Sequence, residues 1–409
     1  MIKIGIVGAG IIGVCIAHFL QKSGHEVTLI DHNEPGSQTS FGNAGLFASH
    51  ECVTANSPHL WKSIPKMLFN KNSPIVIDFF YILKNLPWAI KFLNNCSPDK
   101  VEHIAKTLSN FSKHSVLAYE EISNEIDLKN NIIKKEPIFL YESKKLFEKN
   151  QYSLNLRKKY NVEFDTLNKE DIFKIEPNLE TIYYNGIMLK GERYTKSPLE
   201  VTIKIFNNFI KKGGFFYKLK VNSIYKKKNS LFLKYTEREE KFDKIIIAAG
   251  AWSNSLAKHV GDYFPLNIER GYHITFESKN NLITHPIGWA KNSFYMTPMD
   301  DGIRAAGTVE IASMKKPMNK NILDLIEKTS RSILPQLGRV KNQWMGFRPT
   351  LADSLPVIGE SQKCKNVYYA FGHQHLGLSL AAITGKVMQS LIEKKNTNIN
   401  IYSLNPYRF

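Results

Sequence analysis

Lys3-Ile4-Gly5-Ile6-Val7-Gly8-Ala9-Gly10-Ile11-Ile12-Gly13, followed eighteen residues later by Asp31, is the stretch that decides the fold. Lys3 to Val7 is a short β-rich run, Gly8 to Gly13 a glycine-rich turn, and Val14 to Ser23 has a helical apolar spacing that stops at Gly24. His25 to Ile30 then reads as a second strand, closing a βαβ unit on an acid. That order suits a dinucleotide. The glycines permit the tight turn, bring backbone N–H groups against a pyrophosphate at a helix N-terminus, and let the helix pack closely on the strand. Asp31 would accept hydrogen bonds from a ribose. Gly8, Gly10, Ile11, Ile12, Gly13, Asp31 and His32 are therefore the first candidate cofactor residues. The motif alone does not separate FAD from NAD, and a purely structural glycine turn is the plainer alternative.

Further along, Lys244 to Gly250 repeats the pattern of a buried parallel strand running into a glycine beside a ligand. This adds Val221, Ala249, Gly250 and Trp252 to the candidates. Residues 60–160 read as mostly helical, Ser197 to Lys211 as a helix, and Val221 to Tyr225 and Leu231 to Tyr235 as strands. A β-rich block runs from Leu266 to Val309, Asn321 to Leu334 is helical, and Gly377 to Glu393 forms a last amphipathic helix. The fold class is α/β. A discontinuous dinucleotide-binding domain is expected from residues 1–60, 150–260 and 340–409. An interleaved α+β substrate domain, on a mostly antiparallel sheet, is expected from residues 61–149 and 261–339.

A chain of 409 residues with 43% hydrophobic side chains can bury such cores without disulfides. Cys15, Cys52, Cys96 and Cys364 are too dispersed for a zinc site or a redox dithiol, so they read as reduced thiols and no metal is expected. The formal charge is +18, but its lysines are scattered along the chain, which argues against nucleic acid as a partner. Trp61 to Leu93 is rich in aromatic and aliphatic residues, yet Lys66, Lys71, Asp78, Lys84 and Lys91 interrupt it. It is too broken to span a bilayer and reads as amphipathic helix and loop, suited to a peripheral membrane contact. The first apolar run is interrupted at Gly8 and Gly10 and does not resemble a signal peptide. The expected location is cytoplasmic, with a peripheral place at the inner face of the cytoplasmic membrane.

Ser37 to Leu46 is a second glycine- and hydroxyl-rich stretch, directly after the acid, and offers donors to a long, extended cofactor through Thr39, Ser40, Asn43, Ala44, Gly45 and Leu46. Near the C-terminus stand Trp344 to Thr350, Asp353 to Gly359 and Phe371 to Ser379. With these stretches the sequence resembles the D-amino acid oxidase superfamily of FAD-dependent amine oxidoreductases, and within it the bacterial D-amino acid dehydrogenases. The resemblance covers nearly the whole chain and includes Trp88 to Leu93, Arg270-Gly271-Tyr272-His273 and Ala305 to Glu310. It implies a Rossmann-like FAD-binding domain whose last helix starts at the flavin ring. Gly372, His373, Leu376, Gly377, Leu378 and Ser379 thereby become cofactor candidates, with the positive helix end set to stabilise charge on reduced flavin. No cysteine stands where the sarcosine-oxidase-like branch places its linking thiol, so the FAD is expected to be non-covalent.

Arg348 is the candidate for the substrate carboxylate, because a planar guanidinium gives bidentate recognition, and the resemblance assigns that role to the matching arginine. An interdomain salt bridge is its structural alternative, and Arg304 is the next candidate clamp. Tyr272 and Tyr295 offer hydroxyls to the same carboxylate, against ordinary strand packing. His375 would take a proton from the substrate ammonium or shape the pocket. The expected reaction is dehydrogenation of a small D-amino acid, or of a cyclic imino acid such as D-proline or a hydroxy-D-proline, with hydride passing from Cα to flavin N5. The alternatives are oxidation of glycine, sarcosine or another secondary amine, and a non-catalytic flavin-binding subunit. Glycine-oxidase-like sequences carry an arginine where His375 stands, which counts against the former. The electron acceptor is left open between a quinone, a carrier protein and oxygen.

Overall fold

The computed structural model describes residues 1–48, 51–61, 64, 75–278 and 282–409. Lys3–Val7 and Glu26–Asp31 pair in parallel around the Ile11–Lys22 helix. That helix starts three residues before Val14, because its missing cap arrives from a distant loop. Gly10, in extended conformation, has no side chain to cap it, and the Ser40 hydroxyl accepts from Ile11 N–H at 3.0 Å.

The first sheet runs Phe215–Lys218, Glu26–Asp31, Lys3–Val7, Lys244–Ile247, Val367–Phe371, all parallel, with Val357–Glu360 as an antiparallel edge. Its central strands are buried on both sides, which is why Ile245, Ile246 and Ile247 read as a continuous apolar run. Ile11–Lys22, Pro198–Lys211 and Gly377–Ile392 contribute to one core; the antiparallel meander Ser223–Lys227, Ser230–Lys234, Glu239–Phe242 contributes to the other.

The second sheet runs Val340–Leu351, Leu266–Phe276, Gly302–Ile311, Phe294–Met299, Ile287–Trp289, Ile138–Tyr141, Asn185–Leu189, Phe164–Leu167, with Ile75–Ile77 beside Gly302–Ile311. It is mostly antiparallel, and the Lys320–Ile333 helix closes one face over Tyr272, Ile274 and Phe276.

Sheet membership departs from the expected segment boundaries in three places. Val340–Leu351 pairs with Leu266–Phe276 along its length and so belongs to the second sheet. Phe164–Leu167 and Asn185–Leu189 also join that sheet. Conversely Ile104, Leu108, Phe111, Tyr119 and Ile122 pack into the core of the dinucleotide-type sheet. The cause is long-range strand pairing and helix docking, which no local composition shift announces.

Candidate active site

A cavity of about 630 Å³ is lined by the C-terminal ends of the parallel strands and by one face of the second sheet. Ligands of open α/β sheets bind at that strand end. Gly8 turns the chain there with φ +114°, passing so close under the neighbouring strand that a Cβ would stand 2.4 Å from the Ala248 carbonyl oxygen. Gly10, Ile11, Ile12, Asp31, His32, Thr39, Ser40, Asn43, Ala44, Leu46, Val221, Ala249, Gly250 and Trp252 all line the cavity. At its other end so do Gly372, His373, Leu376, Gly377, Leu378 and Ser379.

Two expected cofactor residues do not reach it. A Cβ on Gly13 would stand 1.9 Å from the Gly8 carbonyl oxygen, so this glycine lets the helix lie against the turn. Gly45, at φ +73°, turns its loop while its N–H donates to Asn43 Oδ1 at 2.8 Å. The two oxygens of Asp31 accept from Ala9 N–H at 2.8 Å and Asn33 N–H at 2.9 Å, fixing the turn on either side.

The loop after Asp31 is pinned from below. Arg304 Nη1 donates to the carbonyls of Phe41 and Asn43, at 2.9 and 3.2 Å, and Thr297 Oγ1 donates to that of Ala44 at 2.8 Å. Arg304 is 3% exposed and points at this backbone, so it is not a second carboxylate clamp. Thr39 Oγ1 donates to Phe347 O at 2.9 Å, tying the same loop to the strand that carries Arg348.

Strand alternation decides which side chains enter the cavity. Glu269 and Gly271 on one strand, with Trp344, Gly346 and Arg348 on its neighbour, share the cavity face. Arg270 and Tyr272 point the other way. Tyr272 hydrogen-bonds Glu310, which also pairs with Arg270 at 3.1 Å, under the covering helix. The expectation of a substrate-facing Tyr272 is therefore corrected by its place in the pleat.

Arg348 lies flat over Gly271, where a Cβ would stand 2.5 Å from Nη2. Its Nη1 donates to Thr308 O at 2.9 Å, and its other N–H groups make no hydrogen bond among the described residues. Thr308 turns its carbonyl inward at φ +54°, a strained conformation for a β-branched residue, in a strand segment where the four consecutive residues Ala306 to Val309 line the cavity. Burial pulls the Arg348 pKa down while Glu269 opposes it; burial raises the Glu269 carboxyl, against the pull of Arg348.

His375 projects into the cavity, and its pKa is lowered by burial and by Arg348, with Glu51 opposing. His373 is pushed down to about 3 by burial, and its Nε2 lies 3.0 Å from Thr384 Oγ1. Tyr295 lines the cavity beside Phe139, its pKa raised by burial and then by Glu192 and Glu51.

Glu51, Phe139, Arg157, Glu192, Glu269 and Thr308 also line the cavity and were not among the expected residues. Glu269 was within reach of sequence reasoning, since it shares the parity of Gly271 and Arg348. Glu51 and Arg157 meet across 106 residues and leave no local signal.

The walls fit FAD. One cavity joins the glycine turn at a helix start to the start of the last helix, and no cysteine lines its described walls. The family model for FAD dependent oxidoreductases matches residues 3–391. The chain is 32% identical to the D-amino-acid oxidase of Bradyrhizobium diazoefficiens, over 99% of this chain and 98% of that one. It is 25% identical to the D-amino acid dehydrogenase of Helicobacter pylori, over 98% of both. Among solved structures, glycine oxidase from Geobacillus kaustophilus superposes with a TM-score of 0.78 at 19% identity, covering 100% of this chain and 99% of the other. L-proline dehydrogenase from P. horikoshii gives 0.76 at 19% identity, covering 100% and 97%. With this sheet pair, this cavity and a family match from end to end, the chain belongs to the FAD-dependent oxidoreductases, and FAD is its cofactor.

Proposed function

We propose that this enzyme oxidises the Cα–N bond of a D-amino acid, with Arg348 as the carboxylate clamp. The observation that carries the reading is the Arg348 guanidinium, seated over Gly271 and, among the described residues, bonded only to the Thr308 carbonyl, at a cavity wall that also contains the start of the last helix. The names of the two curated relatives support the amino-acid substrate and its D configuration. Bound FAD supplies the hydride acceptor. Arg348 orients Cα by gripping the carboxylate in a plane. His375, held neutral by its surroundings, takes a proton from the substrate ammonium so that the nitrogen lone pair can assist loss of the Cα hydride. The imine product hydrolyses to a 2-oxo acid and ammonia, whereas a ring amine such as D-proline would leave as a cyclic imine.

Arg348→Lys keeps the charge and loses the planar fork. It is expected to lower kcat/KM for D-amino acids by an amount equivalent to about 2–5 kcal/mol, measured as anaerobic flavin reduction, and to spare amines without a carboxylate. Wild-type rates at wild-type substrate concentrations in that variant would place the clamp elsewhere.

The acceptor in this reading is a quinone or another carrier reached at a membrane. No helix among the described residues is long and apolar enough to cross one. The observation favouring contact is the Phe79–Lys84 and Leu86–Asn94 helix pair. Trp88 and Phe92 are buried there, while Phe79, Phe80, Leu83, Leu86 and Ile90 stand exposed beside exposed Lys84 and Lys91. That pattern suits a helix lying on an anionic lipid surface.

A further inference from the structure

The part of the cavity away from Arg348 is charged, and the reaction proposed above makes no use of it. Arg348 lies on the first strand of the second sheet, Tyr295 on the fourth, Phe139 on the sixth and Ile187 on the seventh. At about 4.8 Å per strand, the strands carrying Arg348 and Tyr295 are about 14 Å apart across the sheet, and Tyr295 lies in register with Trp344 rather than with Arg348. Glu51, Arg157 and Glu192 line the cavity with Tyr295. Arg157 Nη2 donates to both oxygens of Glu51, at 3.1 and 2.8 Å, and Glu51 also accepts from the N–H groups of Cys52 and Val53. Those two charges satisfy each other.

Glu192 is different. It is 3% exposed, it lines the cavity, and it makes no hydrogen bond or ion pair among the described residues. A buried carboxyl without a partner is costly, and a cavity wall keeps one where a ligand supplies the partner. Resting on the reading of the site as that of a D-amino acid oxidoreductase, we propose that Glu192 recognises the tip of the substrate side chain, and that preferred substrates carry a cationic amine or guanidinium there.

The distribution of charge supports this division of the site. Glu269 feels Arg348 and Glu192 feels Glu51 and Arg157, while His375 stands between the two groups and feels both Glu51 and Arg348. Burial first, and Glu51 next, raise the Glu192 carboxyl well above the ordinary range, with Arg157 opposing. Burial without a partner therefore opposes ionisation of Glu192 until a cation supplies that partner. When a cationic side chain arrives, the carboxyl releases its proton to solvent and pairs with the cation, so the net charge of the pocket is conserved. An α-carboxylate at Arg348 and a cation at Glu192, on different walls of the cavity, call for a long side chain that carries its charge at the tip, as lysine and arginine do. This shifts the preference away from the small side chains expected from sequence.

The test is anaerobic flavin reduction of the holoenzyme by D-lysine, D-arginine and D-norleucine. The wild type should show kcat/KM at least about tenfold higher for the two cations than for D-norleucine, the worth of one charge-assisted pair. Glu192→Gln should bring that ratio toward one. Should Glu192→Gln fail to fold, the wild-type pH profile serves: KM for D-lysine should fall as pH rises through the Glu192 titration, relative to KM for D-norleucine. D-norleucine used as well as D-lysine by the wild type overturns the inference and leaves the D-amino acid reading standing. Reduction by none of the three, nor by D-alanine or D-proline, overturns both.

Discussion

Gly271 has no side chain, and Arg348 occupies the space it leaves. The seat of this guanidinium rests on an absence: a methyl group at residue 271 would meet Nη2, Cζ and Nε of Arg348 at 2.5, 2.6 and 2.9 Å. Gly271→Ala should therefore lift the guanidinium off the strand. KM for a D-amino acid is expected to rise about tenfold, in line with an overpacking cost of about 1–3 kcal/mol, while FAD content stays at wild-type level. Steady-state kinetics beside the flavin absorbance ratio measure both. An unchanged KM would mean that Arg348 leaves this seat when substrate binds.

At the scale of elements, the loop from Ser37 to Leu46 links cofactor and substrate regions. It caps the first helix through Ser40, reaches the Arg348 strand through Thr39, and is held by Arg304 and Thr297 of the second sheet. Arg304 also sits over the Phe41 ring, 5.2 Å from its centroid. Arg304→Met should leave two loop carbonyls, of Phe41 and Asn43, without their donor. Hydrogen bonds from a charged group contribute about 1.5–3 kcal/mol, so FAD release is expected to become roughly tenfold easier. Flavin fluorescence recovery on dilution measures the release. Flavin reduction at saturating FAD should remain closer to wild type than in Arg348→Lys, because Arg304 faces the loop backbone and not the substrate space.

For the whole molecule, the exposed apolar residues Phe79, Phe80, Leu83, Leu86 and Ile90 are the feature on which the proposed membrane contact rests. The formal charge of +18 adds attraction to an anionic surface. The holoenzyme should float with vesicles containing phosphatidylglycerol at low salt and remain behind with phosphatidylcholine vesicles. Phe80→Ser combined with Leu83→Ser should lose flotation without losing FAD. Flotation that survives both substitutions would move the contact to another surface, and flotation absent from the wild type would remove the membrane reading altogether.

The sequence by itself determined the parallel-strand unit, its glycine turn, the loop after Asp31 and the start of the last helix. Each of these is written in neighbouring residues whose backbone requirements are local: a positive φ at Gly8, a close approach at Gly13, a helix beginning at Gly377. Arg348 was legible as a candidate from its short motif and the resemblance, and the structure brings it to the cavity wall. Tertiary structure alone decided the rest. The parity of the pleat turned Tyr272 into a core residue beside Glu310, although it follows Gly271 directly. Arg304 became a prop for a loop more than 250 residues earlier in the chain, and Glu51, Arg157 and Glu192 met at one wall from separate elements. Charged groups so far apart in the chain have no shared period or spacing, and only the paired strands and docked helices bring them together.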